Sequence, residues 1–231
     1  MRPLFQLGPR LALCAELTRA NKKLCDVGTD HAYLPIWLLK SGKIERALAS
    51  DLRPGPLEVA AQNARRYGVA DRLTLRCSDG LHKIEPEEAE DVVIAGMGGE
   101  LILRIVAETD WLQDPEKRLI LQPMSSAREL RIGLYELGFE ILEEHAVEDA
   151  GRVYTAFSAQ YSDELPPLSG QEQVLYPHLG KLRPGTKEAK RYAEKLLRDL
   201  RGRLEGALRS RGEDSVSELE AAIREIENLF T

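Results

Sequence analysis

Short apolar runs alternate with longer amphipathic segments from the start of the chain to residue 161. Apolar runs of four or five residues are typical of strands buried on both faces of a sheet, whereas apolar residues three and four positions apart indicate a helix. The pattern predicts five strands, with helices between and after them that are clearest at 55–69 and 125–138. The predicted strands are 23–27, 47–50, 73–77, 91–95 and 118–122. This alternation predicts an α/β sheet.

Beyond these strands the chain divides into three further parts. Apolar runs at 139–147 and 153–161 predict an antiparallel pair at one edge of the sheet. A Pro-, Ser- and acid-rich stretch follows, and we interpret 162–180 as a connector. Residues 181–231 are helical in pattern. The predicted organisation is therefore a sheet domain over 1–161, the connector, and a helical C-terminal extension.

The extension is predicted to be a coiled-coil-like hairpin of two helices that turns at Gly212. Residues 181–211 hold eleven Lys or Arg against four Asp or Glu, while residues 212–231 hold one Arg against six acids. Two interpretations of the basic helix stay open: it pairs with the acidic helix, or it binds an anionic partner such as tRNA. The apolar stripes are Tyr192, Leu196, Leu200, Leu204 and Leu208 on the first helix, and Val216, Leu219, Ile223, Ile226 and Phe230 on the second.

Composition excludes several classes of protein. A chain of 231 residues that is 43% hydrophobic can bury a core, and its net charge of −6 argues against a basic nucleic-acid coat protein. Cys14, Cys25 and Cys77 show no CxxC or zinc-ligand spacing, so we expect no disulfide framework, no metal site and a reducing cytoplasm. No window approaches the roughly 18 apolar residues of a membrane span. The sequence indicates no obligate protein partner.

The candidate chemistry lies at the predicted strand ends, where α/β sheets bind ligands. The first strand runs into "DVGTDHAYLP", whose single Gly28 does not make the G-x-G-x-x-G loop of a dinucleotide site, so an NAD enzyme is disfavoured. S-adenosylmethionine carries no phosphate, and Asp26 or Asp30 could meet its ammonium group. Asp51 is placed for the ribose hydroxyls and Asp79 for the adenine amine. The predicted cofactor-binding residues are Asp26, Gly28, Asp30, His31, Asp51, Leu52, Asp79, Gly80, Ala95, Gly96, Met97, Gly98 and Gly99.

Four segments carry a family resemblance: "DVGTDHAYLPIWLL", "ASDLRPGPLEVAAQNA", "DVVIAGMGGELI" and "LILQPM". With them the chain resembles, over nearly its whole length, the bacterial tRNA (adenine-22-N1)-methyltransferase family. The resemblance implies a Rossmann-like domain that uses S-adenosylmethionine to methylate N1 of adenosine 22 in tRNA. It also implies that the C-terminal helices form a coiled-coil-like lobe that helps to hold the tRNA.

The chemistry of adenine N1 indicates what the enzyme must supply. N1 has an in-plane lone pair, so the main task is to position it, unpaired, in line with the methyl group. A carboxylate would stabilise the positive charge that develops, and Asp30 and His31 are the catalytic candidates. Candidates for tRNA contacts are Arg10 and Lys22 beside the site, and Lys190, Arg191 and Arg198 on the extension. The alternatives are a methyltransferase of another RNA, a protein or a small molecule, or a non-enzymatic interaction protein.

Overall fold

A seven-stranded sheet forms the centre of the protein. The computed structural model describes residues 4–210 and 213–230, and the side chains of residues 4–209 and 216–230. The strand order is β3-β2-β1-β4-β5-β7-β6, with β1 to β5 parallel and β7 antiparallel to both of its neighbours. The strands are β1 Leu24–Val27, β2 Ala47–Asp51, β3 Leu73–Cys77, β4 Asp91–Gly98, β5 Arg118–Ser125, β6 Phe139–Asp149 and β7 Arg152–Tyr161.

Helices cover both faces of this sheet. One apolar cluster joins α1, α2 and α3 to one face, and a second joins α4, α5 and α6 to the other. Each predicted strand is confirmed, and so is the antiparallel pair at the edge. The helices are α1 Pro9–Leu17, α2 Tyr33–Ser41, α3 Pro54–Tyr67, α4 Gly99–Ala107, α5 Ala127–Glu136, α6 Gln171–Leu179, α7 Lys187–Ser210 and α8 Glu213–Phe230.

The strand order reverses between β1 and β4, which are neighbours in the sheet. The β2 and β3 strands extend the sheet to one side of β1, and β4 and β5 extend it to the other. In such sheets the loops at the carboxyl ends of the two central strands diverge and leave a crevice. This crevice lies between the loop after Val27 and the end of β4 at Gly98.

The β4 strand is longer than the sequence predicts and contains a bulge. Ala95 pairs with Gln122 and Met97 pairs with Pro123, so Gly96 is an extra residue without an opposite partner. Gly96 has a φ of +78°, a conformation that other residues adopt at a cost. The "AGMG" segment that the sequence placed after the strand is therefore its irregular last part.

The C-terminal extension packs onto the sheet domain. The predicted connector is not all irregular, because α6 lies within it; its internal Pro177 masks the helical pattern. The helices α7 and α8 pack through most of the predicted stripes; Leu208, which is 59% exposed, and Val216 are not part of the apolar cluster. The turn predicted at Gly212 lies outside the described residues. The division into three domains stays a prediction.

A buried ion pair joins the sheet domain to the extension. Arg131 of α5 is 1% exposed and its Nη2 lies 2.6 Å from Oε1 of Glu144 on β6. The same guanidinium donates to the carbonyl oxygen of His178 at 2.9 Å and to the hydroxyl of Tyr192 at 3.2 Å. Burial alone would lower the pKa of Arg131, but Glu144 and Tyr192 raise it, so the guanidinium stays charged. These contacts of Arg131 with Glu144, His178 and Tyr192, the Arg131 hub, fix α6 and α7 against the sheet.

Candidate active site

The loop after β1 turns sharply at Gly28. The backbone N–H groups of Gly28 and Thr29 donate to the carbonyl oxygen of Ser50 at 2.8 and 2.9 Å, which ties the loop to β2. Gly28 has a φ of +72°, and a Cβ there would overlap the methyl group of Met97 from the end of β4. Glycine is therefore required by both the backbone conformation and the close approach of β4.

Asp26 is a buried carboxyl at the carboxyl end of β1. Burial raises its pKa from 3.8 to about 6, while a hydrogen bond from the Thr29 side chain acts in the opposite direction. At pH 7 the protein thus holds a poorly solvated negative charge next to the Gly28 loop. Such a charge is suited to a cationic group of a ligand.

Asp30 and His31 follow at the rim of the crevice. The Asp30 side chain is 80% exposed, and its Oδ2 lies 3.4 Å from Nε2 of His31. The Nδ1 atom of His31 is buried without a hydrogen-bond partner. The His31 ring meets Tyr33 edge to face at 5.6 Å, and Tyr33 in turn meets Phe5 at 5.4 Å. The structure thus brings both catalytic candidates together beside an aromatic group that is partly exposed.

The end of β2 presents Asp51 and Leu52. The Asp51 side chain is 12% exposed, and its Oδ1 accepts the backbone N–H of Arg53 at 2.8 Å. This bond fixes the carboxylate, and no hydrogen bond within the described residues engages its Oδ2. Leu52 beside it is 63% exposed. A fixed acid next to an exposed apolar side chain fits a ribose joined to a base.

The end of β3 carries the next two predicted residues. Asp79 is half-exposed, and its Oδ1 lies 3.8 Å from a guanidinium nitrogen of Arg104 on α4. A Cβ on Gly80 would lie 3.1 Å from the side chain of Ile105, so Gly80 permits the packing of α4. Asp79 thus follows β3 at the carboxyl edge of the sheet and pairs with α4. Gly80 has a packing role that its place in the sequence did not indicate.

The "AGMGG" segment, residues 95–99, forms the β4 side of the crevice. A Cβ on Gly99 would press on the carbonyl oxygens of Ser125 and Ser126, because α4 begins against the end of β5. A Cβ on Gly98 would lie 3.3 Å from Oγ of Ser125. Ala95 pairs with Gln122 of β5, and the methyl group of Met97 lies against Gly28, so the segment lies close to both β5 and the Gly28 loop.

The two basic residues expected beside the site have different positions. Lys22 precedes β1 and so lies at the amino end of the sheet, where its Nζ is 2.7 Å from Oε1 of Glu90. The prediction that Lys22 lies beside the site is wrong, since the length of β1 separates it from the crevice. Arg10 of α1 does reach the carboxyl end of β4, where a Cβ on Gly96 would lie 3.9 Å from its Nη1.

The basic helix α7 faces the sheet domain across a groove of about 680 Å³. Arg191 and Arg198 line it, whereas Lys190 is exposed on α7 outside it. Arg191 forms an ion pair with Glu148, and Arg201 forms one with Glu227 of α8. Lys195, a further basic residue of α7 that the sequence offers for phosphate contact, also lines it. The sequence did not indicate the other lining residues: Met124, Gly151, Arg152, Val153, Tyr154 and Glu194.

Gln122 is a site residue that the sequence analysis missed. It is fully buried within β5, and its Oε1 accepts hydrogen bonds from the backbone of Gly96 and from Arg10. A polar residue that ends the apolar run "LILQ" was the available signal. Asp149, which binds Arg10 at 2.6 Å, gave no such signal because its partner is distant in sequence.

The residues that line the crevice match the chemical groups of S-adenosylmethionine. Buried Asp26 suits the ammonium group, the absence of a Cβ at Gly28 gives backbone access, and Asp51 suits the ribose. Within the described residues no cluster of three or more His, Cys, Asp or Glu side chains is placed to hold a metal ion. No helix in the described part of the chain has the length and hydrophobicity needed to cross a bilayer.

Comparisons with known proteins decide the family. Residues 7–157 match a family described as a methyltransferase domain. The tRNA (adenine(22)-N(1))-methyltransferase of Bacillus subtilis (strain 168) is 35% identical over 160 residues, 69% of this chain and 67% of the relative. The chain belongs to the tRNA (adenine(22)-N(1))-methyltransferase family. The family resemblance drawn from the sequence is confirmed.

Solved structures of the family share the whole fold. The B. subtilis tRNA methyltransferase TrmK has a TM-score of 0.81 at 26% identity, covering 99% of this chain and 100% of that one. A Streptococcus pneumoniae protein solved in complex with S-adenosyl-L-methionine has a TM-score of 0.75 at 31% identity, covering 93% and 98%. The predicted Rossmann-like sheet with C-terminal helices is therefore confirmed, and the similarity includes the extension.

Proposed function

We propose that this protein transfers the methyl group of S-adenosyl-L-methionine to N1 of adenosine 22 in tRNA. The observation that carries the proposal is the relation to the B. subtilis enzyme of that name, together with a shared fold over 99% of the chain. The S. pneumoniae structure that contains S-adenosyl-L-methionine supports the choice of cofactor. The three free cysteines are consistent with a reducing cytoplasm as the site of action.

The strand ends divide the binding of the cofactor among them. Asp26 and the backbone at Gly28 would hold the amino-acid end, Asp51 the ribose, and Asp79 with Leu52 the adenine. When bound, the cofactor supplies an electrophilic methyl group on a sulfonium. The ionised Asp26 carboxylate is poorly solvated, so an ammonium partner would stabilise it more than water does.

The residues of the crevice then act by positioning and electrostatics. The N1 lone pair needs no base to remove a proton, so alignment with the methyl group is the main requirement. The target adenosine must leave its base pair to enter the crevice. Asp30 and His31, whose Oδ2 and Nε2 atoms lie 3.4 Å apart at the rim, would stabilise the positive charge that develops on the base.

The groove between α7 and the sheet domain is the proposed tRNA surface. Within the described side chains, Arg152, Lys195 and Arg198 form no ion pair, which leaves their charges available to phosphates. Arg191 is a weaker candidate because Glu148 already pairs with it. Lys190 extends the same positive helix outside the groove. These contacts would give affinity with little sequence information.

Incubation with S-adenosyl-L-methionine and unmodified tRNA, followed by nucleoside analysis, tests the reaction. We expect 1-methyladenosine with wild-type protein and at least a tenfold loss of rate with Asp51→Ala, which removes the ribose contact. The same tRNA with guanosine at position 22 is the matched control and should stay unmethylated. Methylation of that control, or of other RNA or protein alone, would support the alternative substrate classes.

Charge reversal tests the groove separately. Arg152→Glu, Lys195→Glu and Arg198→Glu together should weaken tRNA binding by at least tenfold at low salt and reduce its salt dependence. The Kd for S-adenosyl-L-methionine should stay within twofold of wild type. The matched control reverses exposed Arg46, Arg65 and Arg66, which lie away from the groove. Equal losses of tRNA affinity in both triple variants would contradict a specific role for the groove.

A further inference from the structure

The bulge in β4 leaves one backbone donor without a strand partner. Gly96 has no opposite residue on β5, so its N–H group cannot join the ladder of backbone hydrogen bonds. The Oε1 atom of Gln122 accepts this N–H at 3.2 Å. This hydrogen bond satisfies a donor that the strand ladder leaves unpaired, so Gln122 stabilises the bulge in this conformation.

Arg10 holds the Gln122 side chain in place. Its Nη1 donates to the same Oε1 atom at 3.1 Å, while the Nε2 atom of Gln122 donates to the carbonyl oxygen of Pro123 at 2.9 Å. The guanidinium is itself fixed by Asp149, whose Oδ2 lies 2.6 Å from Nε, and it lies 5.4 Å from the centre of the Tyr154 ring. The Arg10 side chain thus joins α1 to β5, β6 and β7.

The bulge is in contact with the cofactor loop. Met97 follows Gly96 directly, and its terminal methyl group lies against Gly28. A change in the conformation of Gly96 would move Met97 and the backbone that leads to α4. A continuous chain of contacts therefore runs from Asp149 through Arg10, Gln122 and Gly96 to the Gly28 loop.

We propose that Arg10 is a positioning residue for methyl transfer, which sets the β4 bulge through Gln122, rather than a phosphate contact for tRNA. The proposal rests on the proposed methyltransferase function. It replaces the sequence-based expectation for Arg10, because the guanidinium donates to Asp149, Gln122 and the sulfur of Met124. Its charge is neutralised by Asp149, which weakens any attraction for a phosphate.

Kinetics and binding distinguish the two roles. For Arg10→Met we expect kcat to fall about tenfold or more, because displacement of a reacting group by 1 Å is enough for such a loss. The Kd for tRNA and its salt dependence should stay within twofold of wild type. Asp149→Asn keeps an acceptor for Arg10 and should retain most of the activity. Arg46→Met is the matched control, an exposed arginine that precedes β2 at the amino end of the sheet.

Amide hydrogen exchange at Gly96 provides a readout that does not depend on methylation. Arg10→Met and Gln122→Leu should each accelerate exchange of this amide at least tenfold relative to that of Ile94 in the same strand. Their kcat losses should not add in the double variant, since both act through the bulge. Unchanged Gly96 exchange in Arg10→Met would overturn the proposal even if the wild-type protein methylated tRNA. The proposal would also be overturned if Arg10→Met kept the wild-type kcat but bound tRNA more weakly, with the dependence of log K on log salt reduced by about one.

Discussion

The buried Asp26 carboxyl makes the free energy of unfolding depend on pH. A cationic ligand group bound at this carboxyl should offset that dependence. The folded protein binds a proton at Asp26 more tightly than the unfolded chain does, because burial raises the pKa from 3.8 to about 6. The free energy of unfolding therefore falls as pH rises through this window, by about 3 kcal/mol in all and by about 2 kcal/mol between pH 4.5 and 7.5.

Replacement by asparagine removes the titration and keeps the shape. We expect Asp26→Asn to gain stability over wild type as pH rises, with the difference growing by about 2 kcal/mol between pH 4.5 and 7.5. Loss of the carboxylate should weaken S-adenosyl-L-methionine binding about tenfold to a hundredfold at pH 7.5, the cost of a charge-assisted hydrogen bond. Stability would thus rise while cofactor binding falls.

Urea unfolding at several pH values, and calorimetric titration with the cofactor, measure the two effects. Asp30→Asn is the matched control, because this neighbouring carboxyl is 80% exposed and its replacement removes no buried charge. A stability difference for Asp26→Asn that stays constant between pH 4.5 and 7.5 would refute the reasoning. So would cofactor affinity that is unchanged in Asp26→Asn.

Three other predictions follow from named contacts. Cys77 is exposed and lies opposite Asp51 on the neighbouring strand, whereas Cys14 and Cys25 are buried. A thiol reagent should therefore modify Cys77 first, and bound S-adenosyl-L-methionine should slow this modification. An unchanged rate of modification would mean that the cofactor binds elsewhere. Arg131→Met should cost about 3–5 kcal/mol in urea unfolding, because it leaves Glu144 buried and unpaired, and adding Glu144→Leu should recover most of the loss. Burial, with Arg128, Arg131 and Arg203, lowers the pKa of His178 from 6.5 to about 4. Stability should therefore fall by up to about 3 kcal/mol as pH drops through that window, and His178→Gln should abolish this pH dependence.

The sequence predicted the features that local pattern controls. Buried strands and amphipathic helices have different periods, so the sheet and its carboxyl-end residues could be located, including Gly28, Asp51 and the "AGMGG" segment. The bounds of β4 and β5 were too short because the strand continues through a bulge that no local pattern marks. The helix α6 escaped prediction because Pro177 interrupts it.

Contacts between distant residues could not be predicted in the same way. Arg10 meets Gln122 and Asp149, and Arg131 meets Glu144 and Tyr192, through the packing of whole elements. The misplacement of Lys22 has a simpler cause. Lys22 is close in sequence to Asp26, but it precedes β1 whereas Asp26 lies near the carboxyl end of that strand. A strand of four residues is about 13 Å long.

The Arg131 hub has a consequence for how the target nucleotide is chosen. Because α5, β6, α6 and α7 all meet at one buried guanidinium, the extension has no hinge at this junction. The 24 residues of α7 span about 36 Å, and the Arg131 contacts hold this helix against the sheet that carries the Gly28 loop. If α7 holds the tRNA backbone as proposed, the protein measures a fixed length from the bound phosphates to the methyl group. Selection of one position in tRNA would then depend on three-dimensional shape rather than on the bases that flank the target.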